Sequence, residues 1–403
     1  LDDFASEMMR LEEAMDFSKL TAYLDSLESR YEVHGLDCKI MRGHEVLYRH
    51  MAGHSDYART RPVSQNDLYD LYSCTKVITM AAVMQLVETG KLGLNDKLSQ
   101  YLPEFETMYV ATDFKIGDWP FEWPTLASPL ARAQNPILIH QLMSMTAGLS
   151  YDVFSEQIQA VQRETDNRAT TREVVRAIAK MPLLAEPGTR YSYALGHDVL
   201  AAVIEVVSGM RFGEYMHKHV FAPLGLTEMF YQVPKEQKSR LSAQYRKDFE
   251  TGEMLESPEM IFRLSAGSES GGAGLTCTVD AYSVVLDALA NGGVGANGAR
   301  ILQPESINLL RENRLNGQQM EDFSRAGKVG YGYGLGVRTL VDGACSKSPV
   351  GEFGWDGAAG AYAVADPKNG VSIFYAHQIL GMITAYSEIH PTIRDLAYEA
   401  MEL

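Results

Sequence analysis

The sequence predicts an α/β (α+β) chain in which an antiparallel sheet, flanked by helices, is interrupted by a mainly helical lobe. Three observations predict this class. Strand-like runs occur near both ends of the 403 residues. Helix-period apolar spacing mixed with long loops fills the middle. No internal repeat or low-complexity segment divides the chain. We read residues 1–403 as a single catalytic domain, with an α/β lobe at about 1–90 and 290–403 and a helical lobe at about 91–289.

The elements follow in order. Residues 1–30 place Phe4, Met8, Leu11, Met15 and Leu20 at roughly helical spacing among acids, which predicts a helix. Residues 33–41 and 45–52 flank Arg42-Gly43-His44, a polar connection that fits a hairpin. Residues 70–90 carry Val77, Met80, Ala81, Met84 and Val87 at i, i+3, i+4 spacing and stop at Gly90, as a buried helix would. Loops with Trp, Pro and acidic clusters, such as Asp118-Trp119-Pro120 and Glu122-Trp123-Pro124, interrupt the next stretch. Strands return at 334–340, 350–354, 361–366 and 371–376, the last two separated by the turn residues Pro367-Lys368-Asn369-Gly370. A helix over 390–401 closes the chain.

Composition excludes several classes. Lys+Arg 36 against Asp+Glu 52 gives a net charge of -16, without the basic stripe that a nucleic-acid partner needs. The longest apolar run, around residues 77–87 and broken by Gln85, falls short of the ~20 residues that span a bilayer, so no membrane partner is expected. Cys38, Cys74, Cys277 and Cys345 are scattered, with neither a disulfide framework nor metal-ligand spacing. A reducing, cytoplasmic setting is expected, although a chain starting at Leu1 is also compatible with a removed leader. No cofactor is expected. Oligomeric state is left open, and a homo-oligomer is compatible with the sequence.

There is no P-loop, GxGxxG, HExxH or GxSxG. The glycines at every second place from Gly330 to Gly336 suit one face of a tightly packed strand better than a phosphate cradle. His217 and His219 lack a third ligand and read as surface histidines.

Ser73-Cys74-Thr75-Lys76 is the one S-x-x-K in the chain, and it opens the most apolar helix. Residues i and i+3 share a helix face, so the Lys76 ammonium and the Ser73 hydroxyl can meet. Serine needs a base to become a nucleophile, and burial lowers a lysine's pKa toward that task. A chain of this length holds on the order of one such tetrad by chance, so the tetrad alone does not decide. On the same helix Cys74 faces away from Ser73 and reads as an inert core thiol.

Further stretches in order decide it. LYSCTKVITMAAVMQLVETGKLGLNDKLSQYLPEF from Leu71, ILIHQLMSMTAGLSY from Ile137, PGTRYSYALGHDVLAAVIEVVSG from Pro187 and FAPLGLTEMF from Phe221 come first. GGAGLTCTVDAYSVVLDALANGG from Gly271, GYGLGV from Gly332 and GWDGAAGAYAVADP from Gly354 follow. Together they resemble the serine β-lactamase and penicillin-binding protein superfamily, in its class C-like and family VIII esterase branch, over most of the chain from about residue 46 to 376. The resemblance implies a β-lactamase/D,D-peptidase-like fold and a serine hydrolase. It assigns Ser73 as nucleophile with Lys76 and Tyr193 as proton-handling partners, and leaves open which of the two is the acylation base. Tyr191 is the competitor for the tyrosine role and is assigned to packing. The N–H groups of Ser73 and Ala358 are implied as oxyanion donors. Tyr72, Leu195, Trp355, Asp356 and Gly357 are implied to surround the substrate.

Departures from the β-lactamase pattern shape the substrate expectation. Tyr-x-Asn becomes Tyr193-Ala194-Leu195, without the amide that grips an acylamino group, and Asp198-Val199-Leu200 resembles the esterase branch. Lys-Thr-Gly becomes Trp355-Asp356-Gly357. Asp356 ~4 Å from a substrate carboxylate would repel it by about 4 kcal/mol at an effective dielectric of roughly 20, the alternatives being that it points into solvent or pairs with an arginine. Esters of neutral, moderately bulky substrates are therefore expected, with Trp119, Trp123 and Trp355 lining an apolar pocket. The alternatives are a β-lactamase or D-alanyl-D-alanine carboxypeptidase, an acyltransferase, and a catalytically silent binding protein.

Overall fold

The computed structural model describes residues 15–117, 122–248, 250–260, 262–325 and 327–403. The expected helix over residues 1–30 is described only from residue 15, where α1 spans Ser18–Tyr31. The hairpin forms as expected from β1 (Gly35–Arg42) and β2 (Glu45–Gly53). Its two-residue turn puts Gly43 at φ 54° and His44 at φ 75°, the positive values of a type I′ hairpin turn. His44 tolerates this because Asp287 accepts from its backbone N–H at 3.3 Å and meets its ring Nδ1 at 2.7 Å.

The expected buried helix is α2 (Thr75–Glu88), reached through a single 3₁₀ turn, Tyr72–Cys74. Its residues from Thr75 to Met84 are all buried, so no polar stripe faces water. Helix α3 (Gly196–Ser208) packs beside it, and α4 is Val279–Ala290. The C-terminal strands are β3 (Tyr331–Tyr333), β4 (Arg338–Leu340), β5 (Phe353–Asp356), β6 (Tyr362–Asp366) and β7 (Val371–Ala376). Strand β5 starts three residues later than its pattern suggested, and Val350 is exposed. Helix α5 (His390–Ala400) follows.

The seven strands form one antiparallel sheet ordered β3-β4-β5-β6-β7-β1-β2, so the N-terminal hairpin completes a sheet begun at the other end of the chain. Period-two alternation sorts the faces. Val371, Ile373 and Tyr375 of β7, with Leu36, Cys38 and Ile40 of β1, pack under α1 and α5 through Leu20, Leu24, Leu27, Ile393 and Ala397. Phe374 and Ala376 face the opposite way, where Tyr282 of α4 stacks on Phe374 at 4.0 Å. Each such buried side chain contributes about 1.5–3 kcal/mol. Helix α4 lies against β7, β1 and β6. No helix of the described residues is long and apolar enough to cross a membrane.

Candidate active site

The amino end of α2 meets the carboxyl end of β5. Tyr72 takes φ 46°, a left-handed conformation costing of order 1–3 kcal/mol in a bulky residue, and this turn presents Ser73. Tyr72 is held there by its hydroxyl bond to Gln244 Oε1 at 2.7 Å and an edge-to-face contact with Phe262 at 5.7 Å. One helical turn on, Lys76 places Nζ 3.2 Å from Ser73 Oγ and donates to the Gly272 carbonyl at 2.8 Å. Lys76 is fully buried, and that burial lowers its pKa against the raising effects of Tyr151 and Asp198.

Tyr193 comes from the turn before α3. That turn is pinned by Ser192 N–H on the Met145 carbonyl (2.9 Å), Leu195 N–H on the Ser150 carbonyl (3.2 Å) and a bidentate Arg190–Asp322 pair at 2.7 and 2.6 Å. The Tyr193 ring lies 4.7 Å from Lys76 Nζ, and its hydroxyl accepts from the Trp355 indole N–H at 3.0 Å. The rings of Tyr193 and Trp355 stack at 5.6 Å. Burial pushes the Tyr193 phenol well above its usual range, against the lowering effects of Ser73 and Trp355. Tyr191 points elsewhere: its ring packs edge-on against Phe323 and Tyr333 at 5.2 and 5.5 Å.

Sequence reasoning passed over Tyr151. Its hydroxyl interacts with Ser73, its ring lies 5.7 Å from Lys76 Nζ, and burial pushes its pKa up to about 12. The signal was present in the family-like stretch from Ile137, but a loop tyrosine carries no role by itself. Asp198 was noticed only as a branch marker. It accepts from Ser270 Oγ at 2.5 Å and from Gly272 N–H at 3.4 Å, so it fixes the turn whose carbonyl holds Lys76.

On the other side, Ala358 lines the cavity with Ser73, and the Tyr386 hydroxyl donates to the Gly357 and Ala358 carbonyls at 3.1 Å each. Gly357 is required by close approach: a Cβ there would sit 2.4 Å from the Leu71 carbonyl oxygen. We expect Gly357→Ala to push the two backbones apart, lowering Tm and kcat together at a cost of about 1–3 kcal/mol, read by thermal melts and ester kinetics. Cys74, as expected, is a buried thiol turned to the Trp355 carbonyl at 3.4 Å.

The cavity holds about 340 Å³ and is walled by Tyr151, Tyr193, Phe262, Trp355, Ile383 and Tyr386 around Ser73. This suits a small apolar ligand portion. Three residues expected near the substrate do not line this cavity. Tyr72 is wholly buried behind Phe262, Leu195 is buried in the helical core, and Trp123 stacks on Phe114 at 6.4 Å away from this lining. Trp119 lies outside the described residues. A larger cavity, about 630 Å³ at the β1–β2 turn, contains none of the candidate catalytic groups.

Of the alternatives for Asp356, the structure shows the paired one. Its carboxylate pairs with Lys328, with Arg338 Nη1 at 3.4 Å and with His390 Nδ1 at 3.5 Å. Burial would raise its pKa, but Lys328 and then Arg338 outweigh that and hold it well below the usual carboxylate range. The cation missing from the motif is thus supplied by a loop 28 residues upstream. Among the described residues no group of His, Cys, Asp and Glu could hold a metal ion, and His219 stacks on Tyr215 at 4.4 Å.

A buried lysine beside a serine at a helix start, within this mixed fold, defines a serine hydrolase. The beta-lactamase family profile matches residues 10–398, and the chain belongs to that family. Lovastatin esterase of Penicillium rubens is 30% identical, covering 70% of this chain and 72% of its own. Esterase EstB of Burkholderia gladioli is 26% identical over 89% of this chain and 91% of its own. Among solved structures, EstCE1, a hydrolase with promiscuous acyltransferase activity, superposes with a TM-score of 0.75 at 24% identity, covering 96% of this chain and 99% of its own.

Proposed function

We propose that this serine hydrolase cleaves carboxylic esters through an acyl-enzyme on Ser73, with an uncharged, moderately bulky group seated beside the scissile bond. The observation that carries the reading is the fully buried Lys76 ammonium nitrogen 3.2 Å from Ser73 Oγ, with the Tyr193 and Tyr151 hydroxyls against the same serine. Lys76, its pKa lowered, takes the Ser73 proton as Oγ attacks the ester carbonyl. The N–H groups of Ser73 and Ala358 receive the oxyanion. Tyr193, its phenol held protonated, passes a proton to the departing alkoxide, which leaves as alcohol, and the proton on Lys76 replaces it. Water then adds to the acyl-enzyme with the same groups in reverse, releasing the acid.

A second reading, acyl transfer to an alcohol in place of water, is favoured by the apolar cavity walls, which disfavour water as acceptor. Four thiols left free support a cytoplasmic setting. A homo-oligomer is compatible with this reading, and analytical ultracentrifugation decides it. The test of function is a panel of p-nitrophenyl esters run beside nitrocefin. Ester kcat/KM should exceed nitrocefin kcat/KM by orders of magnitude, and added short alcohols should divert product into transesterified ester if the second reading holds. Nitrocefin turnover matching the best ester would overturn the proposal.

A further inference from the structure

The tight turn between β5 and β6, residues 357–360, carries the Ala358 N–H that the proposed mechanism uses as an oxyanion donor. Gly360 N–H donates to the Gly357 carbonyl at 2.9 Å and Gly357 N–H to the Ala361 carbonyl at 2.7 Å, which closes the turn. Every carbonyl of the turn is also held from outside it. The Tyr386 hydroxyl reaches the Gly357 and Ala358 carbonyls at 3.1 Å each. Ile379 N–H takes the Ala359 carbonyl at 2.9 Å, and His390 Nε2 faces the Gly360 carbonyl at 3.2 Å. The Ala358 N–H itself has no acceptor among the described residues.

Tyr386 belongs to a π-helical turn, Ala385–Ile389, that leads into α5. Such turns are rare and gather at functional sites. This one directs Tyr386 and His390 at the same backbone turn, with their rings edge-on at 5.6 Å. Lys328 Nζ lies 5.1 Å from the Tyr386 ring centroid, so a histidine and a cation both fix the ring. Burial pushes the Tyr386 phenol above its usual range, which keeps it a donor at neutral pH. Its one proton is committed to the two carbonyls, and none is left over for a substrate.

The Gly357 carbonyl and the Ala358 N–H belong to one peptide group. A donor on the oxygen draws electron density from the nitrogen and makes the N–H a stronger donor, because linked hydrogen bonds polarise one another. Here the oxygen takes both the Gly360 N–H and the Tyr386 hydroxyl, and the N–H at the other end is left open. That is the arrangement of a donor aimed in advance at developing negative charge.

We propose that Tyr386 is a positioning residue for the reaction: through the Gly357 carbonyl it aims and polarises the Ala358 N–H toward the oxyanion formed at Ser73. The inference rests on the acyl-enzyme reading above and adds to it a tyrosine that acts without giving up its proton. The effect falls on kcat, because the oxyanion carries its full charge only as the transition state is reached. It is smaller than the loss of about 100-fold or more that follows outright removal of an oxyanion donor, because the Ala358 N–H stays in place.

The experiment is Tyr386→Phe, which keeps the ring that lines the cavity and removes only the hydroxyl. On a p-nitrophenyl ester, kcat should fall about tenfold while KM stays within about twofold, the scale of one hydrogen bond. Tyr386→Leu, which removes the ring as well, should raise KM in addition. The acyl-enzyme supplies a spectroscopic readout: the carbonyl of the Ser73 adduct, followed by isotope-edited infrared spectroscopy, should stretch at higher frequency in Tyr386→Phe, because a weaker donor polarises it less. An unchanged kcat overturns the proposal. A lower kcat with the carbonyl band unmoved overturns it too, since Tyr386 would then act as a proton donor or as a prop of the fold. Failure of the ester reading is separable. If no ester acylates Ser73, that reading falls, and the free protein still reports the link through its Ala358 amide, observed by NMR with labelled alanine and assigned by its loss in Ala358→Gly. An upfield move of that amide proton in Tyr386→Phe upholds the polarisation, and an unmoved resonance overturns it.

Discussion

The Ser73→Ala protein is expected to fold and to lose at least about 10⁴-fold in kcat on its best ester, the scale on which removing a nucleophile disables a cooperative catalytic group. The fold should survive because the substitution removes one hydroxyl and leaves Lys76 bonded to the Gly272 carbonyl, so no buried charge is stranded. A stability change within about 1 kcal/mol is expected from thermal melting. A fluorophosphonate should add its mass to Ser73 and to no other serine, because among hydroxyls only this one is described with a buried lysine nitrogen at 3.2 Å. Activity that survives the substitution, or a label on another serine, would remove Ser73 from the mechanism and the acyl-enzyme with it.

What was legible in the sequence follows from distance along the chain. Ser73 and Lys76 are three residues apart on a helix, where spacing dictates a shared face, and the structure brings them together. Period-two strands and the turn at Gly43 and His44 are local signals too, and the hairpin formed around them, with a register shift between Ile40 and Met41. Tyr193 could be placed because its surrounding stretch resembled a family in order, and it lies beside both. Lys328 could not be placed, because nothing local ties a lysine in a glycine-flanked loop to an aspartate on a later strand. The compensation of the Asp356 charge by Lys328 was therefore not legible. Tyr72, Leu195 and Trp123 lie outside the cavity lining for a related reason: position next to a functional residue does not say whether a side chain turns into the cavity or into the core.

Lys76→Ala and Tyr193→Phe are each expected to cost at least about 100-fold in kcat, whereas Tyr191→Phe should be near neutral. The contrast between the tyrosines is geometric. Tyr193 meets Ser73 and takes the Trp355 N–H, while Tyr191 packs among Phe323 and Tyr333. The two proton-handling groups should separate by pH. Burial lowers the Lys76 pKa, so kcat/KM should fall as pH drops through that lowered value and Lys76 becomes charged. Burial raises the Tyr193 phenol, so the donor form should persist beyond the ordinary tyrosine range on the alkaline side. Stability gives an independent readout of the same lysine. Its folded pKa lies below the 10.5 of an ordinary lysine, so the unfolded chain binds the extra proton between the two values and stability rises with pH across that window. Below the window the full cost of burying the cation is present. Lys76→Met, which keeps the bulk and removes the charge, should therefore raise Tm at neutral pH while abolishing turnover, and its advantage should shrink as pH approaches 10.5. A Lys76→Met protein that melts lower than the wild type at every pH would mean that the Gly272 bond outweighs desolvation, and that Lys76 is a structural cation rather than the base.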